Sequence, residues 1–149
     1  MKYLVTGATG HLGGMIITEL SKLVPQADIR LGVHRIEKAT ALQSAGYDVV
    51  ALDYAAVDSM TAAMTGVDVL IYVPSLTYWV QQRITEFENT LEAMRRANVS
   101  TIVAMSFIAD QYNNPFQMAS YYAYLPARLA GSGLNYAVVK NALYADPLV

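Results

Sequence analysis

The sequence predicts a doubly wound α/β fold, a parallel sheet with helices on both faces, and three observations carry that prediction. Short apolar runs that read as buried parallel strands recur along the chain: Tyr3–Val5, Ile29–Val33, Val49–Leu52, Val69–Val73, Thr101–Met105 and Tyr136–Val139. Segments with helical patterning separate them, at Leu12–Leu23, Lys38–Ala45, Val57–Met64, Tyr78–Ala97 and Met118–Ala130. Such alternation is the pattern of strands joined by helical crossovers. The third observation is a glycine-rich turn between the first strand and the first helix. The 149 residues form one expected domain, long enough to bury a core.

Along the chain, the first strand runs into Thr6-Gly7-Ala8-Thr9-Gly10-His11-Leu12-Gly13, and an amphipathic segment beginning near Met15 follows. Strand, glycine turn and helix make the context of a dinucleotide fingerprint. Gly7 permits the tight turn, Gly10 lets backbone approach a pyrophosphate, and Gly13 lets the helix pack closely. The helix start offers unpaired N–H groups and a positive dipole end to phosphates. A β–α turn that needs glycine for geometry alone is the competing reading. In the long helix, Ile84, Phe87, Leu91 and Met94 recur at i, i+3, i+7 and i+10, one buried stripe. Its charges, Arg83, Glu86, Glu88, Glu92, Arg95 and Arg96, read as a solvated face.

Composition narrows the class. With no cysteine, disulfides, thiolate catalysis and cysteine-based metal sites are excluded, and no metal site is expected. A net charge of −2 without a basic cluster argues against a nucleic-acid partner. No apolar run approaches the roughly 18 residues of a membrane span. Met1-Lys2-Tyr3 leads straight into strand one, which leaves no room for a signal peptide, so a cytoplasmic protein is expected. No repeat, low-complexity tract or linker is visible.

Together the chain resembles the NmrA-like group of atypical short-chain dehydrogenases/reductases, and is similar to bacterial NAD(P)H:quinone oxidoreductases. The glycine turn carries this, with Val33-His34-Arg35, Leu52-Asp53-Tyr54, Gly66-Val67-Asp68, Asn89, Met105-Ser106 and Ser132-Gly133-Leu134-Asn135-Tyr136. Lys140-Asn141-Ala142 narrows the choice to the NmrA-like group. The resemblance implies a Rossmann-type sheet. It also implies that Asp53, with Tyr54 beside it, meets the adenine and that Pro74 and Ser75 line the nicotinamide ribose. Asp53 can equally be a turn or helix cap, and Ser75 a helix cap.

The choice between NAD(H) and NADP(H) is a question of charge. An NAD site ends its second strand in an acidic residue that accepts from ribose hydroxyls. Here the strand ends in His34-Arg35, with Lys38 a turn later and Glu37 past the expected position. A guanidinium there stacks on adenine or forks onto a 2′-phosphate, so NADP(H) is favoured over NAD(H). The bland alternative is an Arg35 that faces solvent at a helix start.

For catalysis, the larger superfamily uses Tyr-x-x-x-Lys, in which the lysine lowers the phenol's pKa for proton transfer. Tyr121, Tyr122 and Tyr124 are followed four residues later by Leu125, Pro126 and Arg128, and Pro126 is expected to break a helix holding such a pair. A packed aromatic patch is the preferred reading. Ser106 ends strand five at the ligand-binding edge, where it can bond a substrate carbonyl or the nicotinamide, or satisfy local backbone. Asn89 is expected to assist placement. A quinone needs hydride held within a few ångströms and can collect protons from water. Tyr78, Trp79, Tyr112 and Phe116 are expected around such a substrate, although packing explains each equally. His11 is read as a helix-start histidine beside the phosphates, and His34 as a surface neighbour of the adenosine.

The resemblance also implies that the polypeptide continues past the stretch from Asn141 to Val149 into a smaller substrate-binding portion. This chain is expected to lack most of that portion, exposing apolar surface and favouring a homo-oligomer. Two functions follow: reduction of a quinone or small carbonyl by NADPH, or a non-catalytic NAD(P) sensor that changes its association with a protein. An epimerase is disfavoured by the missing tyrosine–lysine pair.

Overall fold

A computed structural model of the chain describes residues 1–142. Six parallel strands form one sheet in the order β3-β2-β1-β4-β5-β6. They are β1 (Tyr3–Thr6), β2 (Ile29–Val33), β3 (Asp48–Ala51), β4 (Val69–Tyr72), β5 (Thr101–Phe107) and β6 (Asn135–Asn141). The helices are α1 (His11–Leu20), α2 (Thr40–Ser44), α3 (Val57–Met64), α4 (Val80–Ala97) and α5 (Ala119–Ala130). β1 lies at the centre, with Val5 in register with Leu31 of β2 and Ile71 of β4. The chain winds outward from β1 to β3, then returns across the sheet to β4 and winds the other way. Right-handed crossovers in opposite directions put their helices on opposite faces.

The core divides accordingly. On one face, Leu4, Leu70 and Ile102 pack with Met60 and Met64 of α3, Phe87 and Met94 of α4, and Leu125 and Leu129 of α5. On the other, Val5, Leu31 and Ile71 pack with Ile17 of α1, and Leu42 of α2 lies against them. Alternate residues of each strand feed the two cores, so the strands are apolar throughout rather than at every second position. At the β6 edge, Ala137 and Val139 remain exposed.

Several sequence expectations are corrected. α1 stops at Leu20 rather than Leu23: the Ser21 hydroxyl bonds back to Ile17 O at 2.7 Å and meets the Tyr47 hydroxyl at 2.8 Å, which turns the chain away. The Lys38–Ala45 helix is divided into a 3₁₀ turn, Ile36–Lys38, and α2. α5 runs through Pro126 unbroken. Proline removes one backbone donor, and the burial of Tyr121, Leu125 and Leu129 on the same helix outweighs that loss. The charges of α4 are not all solvated: Arg83 and Glu86 are each 6% exposed. Glu92, Arg95 and Arg96 do form a surface network, with nitrogen–oxygen separations of 2.8 Å.

A charged tie holds the β3 edge. Asp48 accepts from Arg30 Nε at 2.8 Å and pairs with Lys2 Nζ at 3.2 Å, while Arg30 Nη1 also donates to the carbonyls of Ala63 and Thr65. Burial opposes ionisation of Asp48, but Arg30 and Lys2 outweigh it and hold the carboxyl below its ordinary range. A native pKa below the unfolded one gives stability that is present above the ordinary value and lost as pH falls through the native one. Asp48→Asn is therefore expected to lower stability at neutral pH, with the gap to wild type closing in acid. Because 38% of that side chain is exposed, water screens the tie and the loss is at most about 1 kcal/mol. Urea midpoints at neutral and acid pH measure it.

Candidate nucleotide-binding site

β1 and β4 are neighbours whose chains leave toward opposite faces, and the crevice at their carboxyl ends is where a doubly wound sheet binds ligands. Thr6 locks the crevice floor. Its hydroxyl donates to Val73 O at 3.1 Å and accepts from Val73 N at 2.8 Å. The glycine turn rises from this floor. Gly7 has φ +63°, and Gly10 N donates to Gly7 O at 2.9 Å to close the turn. A Cβ on Gly13 would lie 2.2 Å from Gly7 O, so the first turn of α1 presses directly on the turn's own backbone. The close packing expected of Gly13 is thus against the turn. Gly10 precedes α1 as its N-cap and brings no side-chain cap, and the positive end of the helix dipole faces the turn.

A cavity of about 900 Å³ opens from this turn, at the upper end of the range for small-molecule sites. Gly7, Thr9, Gly10, His11, Leu12 and Gly13 line it at the phosphate turn. His34 and Lys38 line it beyond β2, and Tyr54, Pro74 and Ser75 line it beyond β3 and β4. Ser106 lines it at the end of β5, and Tyr78 at its mouth. The strand ends collect these residues because each loop leaves the same edge of one parallel sheet.

Other expected site residues stand elsewhere. Arg35 is exposed and does not line the cavity; the 3₁₀ turn that follows it brings Lys38 there instead. Asp53 also lies off the wall, its carboxylate accepting from Ala55 N at 2.9 Å as a turn cap. Asn89 donates from Nδ2 to Tyr54 O at 3.0 Å and braces the loop after β3, so it reaches the site only through Tyr54. Tyr112 and Trp79 point to solvent, 73% and 72% exposed.

Of the tyrosines on α5, Tyr122 lines the cavity and Tyr121 is buried. Burial pushes the Tyr121 phenol up, so it is a poor acid. The Tyr124 hydroxyl donates to Glu88 at 2.6 Å, and Arg128 Nε bonds the same carboxylate at 2.9 Å. That carboxylate raises the Tyr124 phenol, and the Tyr124–Arg128 pair faces away from the cavity wall.

Sequence reasoning missed one residue of consequence. Arg83, assigned to a solvated face, is buried and lines the cavity. Its Nη2 donates to Thr77 O at 2.5 Å, and Glu86, one turn on, accepts from Ser75 Oγ and from Gln82 Nε2 at 2.9 Å. The two charges thereby hold the β4–α4 loop, which carries Pro74 and Ser75. The available signal was their position one turn apart beside Phe87 on the apolar stripe.

The model of the NAD(P)H-binding family matches residues 7–147. The chain belongs to that family. It is 34% identical over 143 residues to quinone oxidoreductase 2 of Escherichia coli, covering 95% of this chain and 49% of the relative. An NmrA-like family domain-containing oxidoreductase of Aspergillus flavus is 27% identical over 98% of this chain and 49% of its own length. Among solved structures, a nucleoside-diphosphate-sugar epimerase of Staphylococcus aureus superposes with TM-score 0.92 at 36% identity, covering 99% of this chain and 53% of that one. Triphenylmethane reductase of Citrobacter, complexed with NADP(H), gives TM-score 0.92 at 31% identity, covering 100% of this chain and 52% of that one. The chain thus spans about half the length of these relatives. No helix among its described residues is long and apolar enough to cross a membrane.

The turn geometry separates fold from ligand. A Cβ at Gly10 would meet the backbone oxygen of Gly7 at 3.2 Å, so a side chain there crowds the turn that lines the cavity. Gly10→Val is expected to abolish nucleotide binding in calorimetry while the far-ultraviolet circular dichroism of the fold is kept. Gly13→Ala is expected to cost stability, about 3 kcal/mol or more, because the atoms in its way are backbone rather than side chain.

Proposed function

We propose that this domain binds NADPH in preference to NADH and transfers hydride from it to a quinone or a small aromatic carbonyl. The observation that carries the reading is one continuous cavity that runs from the glycine turn to Ser106, 4% exposed at the end of β5. That cavity holds a phosphate cradle at one end and a polar group at the end where the fold family places chemistry. The backbone N–H groups at the start of α1 would hold the pyrophosphate. His34 and Lys38 would flank the adenosine, where no carboxylate from β2 opposes a 2′-phosphate. Tyr54, Pro74 and Ser75 would line the second ribose. The relatives named quinone oxidoreductase 2 and triphenylmethane reductase support the reductase class, and the NADP(H) complex of the latter supports the cofactor.

When bound, the reduced nicotinamide supplies the hydride. The chain's own residues supply placement. Tyr78, Phe116 and Tyr122 present apolar ring surface on the cavity wall, and Phe107, Phe116 and Tyr122 form a packed aromatic group with centroids 5.6 to 6.4 Å apart. Such surface suits a flat conjugated acceptor. Tyr121, held neutral by burial, and Tyr124, bonded to Glu88, are not placed to donate a proton, which suits an acceptor that takes its proton from water.

Calorimetric titration with NADPH and NADH, followed by addition of a soluble benzoquinone to the NADPH complex, tests this. NADPH binding at least tenfold tighter, with loss of its absorbance on quinone addition, is the expected result. Binding without oxidation would remove the reductase, and absence of binding would reduce the glycine turn to a turn. Lys38→Glu is expected to weaken NADPH by about tenfold or more while sparing NADH, because a carboxylate would then face the 2′-phosphate. Arg35→Asp compared in the same assay shows which cation matters: equal selectivity to wild type would assign the phosphate to Lys38.

A further inference from the structure

Arg83 stands at the start of α4 with no carboxylate in ion-pair range among the described residues, although it is only 6% exposed. Its guanidinium lies 5.1 Å from the Tyr121 ring centroid and Nη2 is spent on Thr77 O, but Nε has no partner. Glu86, the buried carboxylate one turn on, accepts from Ser75 and Gln82 and makes no ion pair with Arg83. The Tyr72 and Tyr121 phenols in its surroundings are pushed up by burial, so they offer no negative charge. Ser106 Oγ, 4% exposed, also lacks a partner, and both residues line the same cavity. A buried cation and a buried hydroxyl left unsatisfied are costly unless a ligand answers them. An oxygen carrying negative charge is the ligand group that suits each of them.

We propose that Arg83 and Ser106 form an oxyanion subsite, which receives the carbonyl oxygen of the acceptor and stabilises it as a phenolate during hydride transfer. The proposal rests on the reductase reading above and adds the group that the missing tyrosine–lysine pair leaves unassigned. The C–H bond of the reduced nicotinamide breaks and the hydride's electron pair enters the quinone. One quinone oxygen gains the hydrogen and the opposite oxygen takes the charge. The nicotinamide is oxidised, the quinone becomes the hydroquinone monoanion, and water later protonates the charged oxygen. A guanidinium does not release its proton, so Arg83 stabilises developing charge rather than donating.

The test uses para-nitrophenol, whose phenolate is coloured, titrated into the full chain with and without NADP⁺ across a pH series. The bound phenol is expected to ionise about one unit lower than the free one, a roughly tenfold preference for the phenolate. Arg83→Met is expected to abolish that shift and Arg83→Lys to restore part of it. Because Arg83 also holds Thr77, Ser106→Ala supplies an independent arm: it leaves that contact intact and is expected to reduce the shift on its own. A probe that fails to bind, an unshifted or raised phenol in wild type, or a shift that survives both Arg83→Met and Ser106→Ala overturns the subsite. NADPH titration of the same samples keeps the two readings apart. A phenolate shift without NADPH binding upholds the anion site and removes the reductase, whereas NADPH binding without a shift removes only the subsite.

Discussion

The reciprocal bond between Thr6 and Val73 is the constraint on which the rest of this structure depends. It joins the carboxyl ends of β1 and β4, the pair where the winding direction reverses. Past this point the two chains must part, one to α1 and the other to α4, because their crossovers lie on opposite faces. The crevice is therefore a consequence of topology rather than of any side chain lining it. Thr6 is fully buried, and its hydroxyl both donates and accepts, so neither backbone group of Val73 is left unpaired as the strands separate. Val73 O also accepts from the Tyr54 hydroxyl at 2.5 Å, which draws the loop after β3 into the same junction.

On one side of the crevice the backbone does the work, and on the other the side chains do. The glycine turn is shaped by backbone contacts too close for any Cβ at Gly13. The β4–α4 loop has no such geometry of its own. It is held from behind by buried polar groups of α4: Arg83 on Thr77, and Glu86 on Ser75. Burying two charges on one helix is expensive. The return is a loop whose Ser75 hydroxyl is fixed in direction and whose neighbouring cation still has an N–H to offer. The tyrosines beneath contribute bulk and aromatic faces, with Tyr72 set edge-on to Tyr54 at 5.8 Å.

Some of the site was legible in the sequence because it resides in local backbone rules. Gly7, Gly10 and Gly13 declare themselves through spacing, and Ser75 and Ser106 through their place at strand ends. Other residues were misjudged because their roles depend on contacts remote in sequence. Asn89 pairs with Tyr54, 35 residues away, so a residue expected at the substrate acts as a brace. Arg35 and Lys38 are three positions apart, and only the 3₁₀ turn decides which reaches the cavity. Arg83 and Glu86 looked solvated because charge is normally exposed; a loop folding over the start of α4 reverses that rule.

By itself, the sequence determined the alternation of strands and helices, the parallel sheet and the glycine cradle, since strand runs, helical stripes and turn glycines are local and periodic. The apolar stripe of Phe87, Leu91 and Met94 is of this kind. Tertiary structure alone decided which polar side chains meet. It placed Tyr124 and Arg128 on Glu88, outside the cavity lining, and placed Arg83 and Ser106 in the lining of one cavity. Whether a charged group is buried depends on which elements cover it, and that information belongs to the packed chain rather than to any window of it.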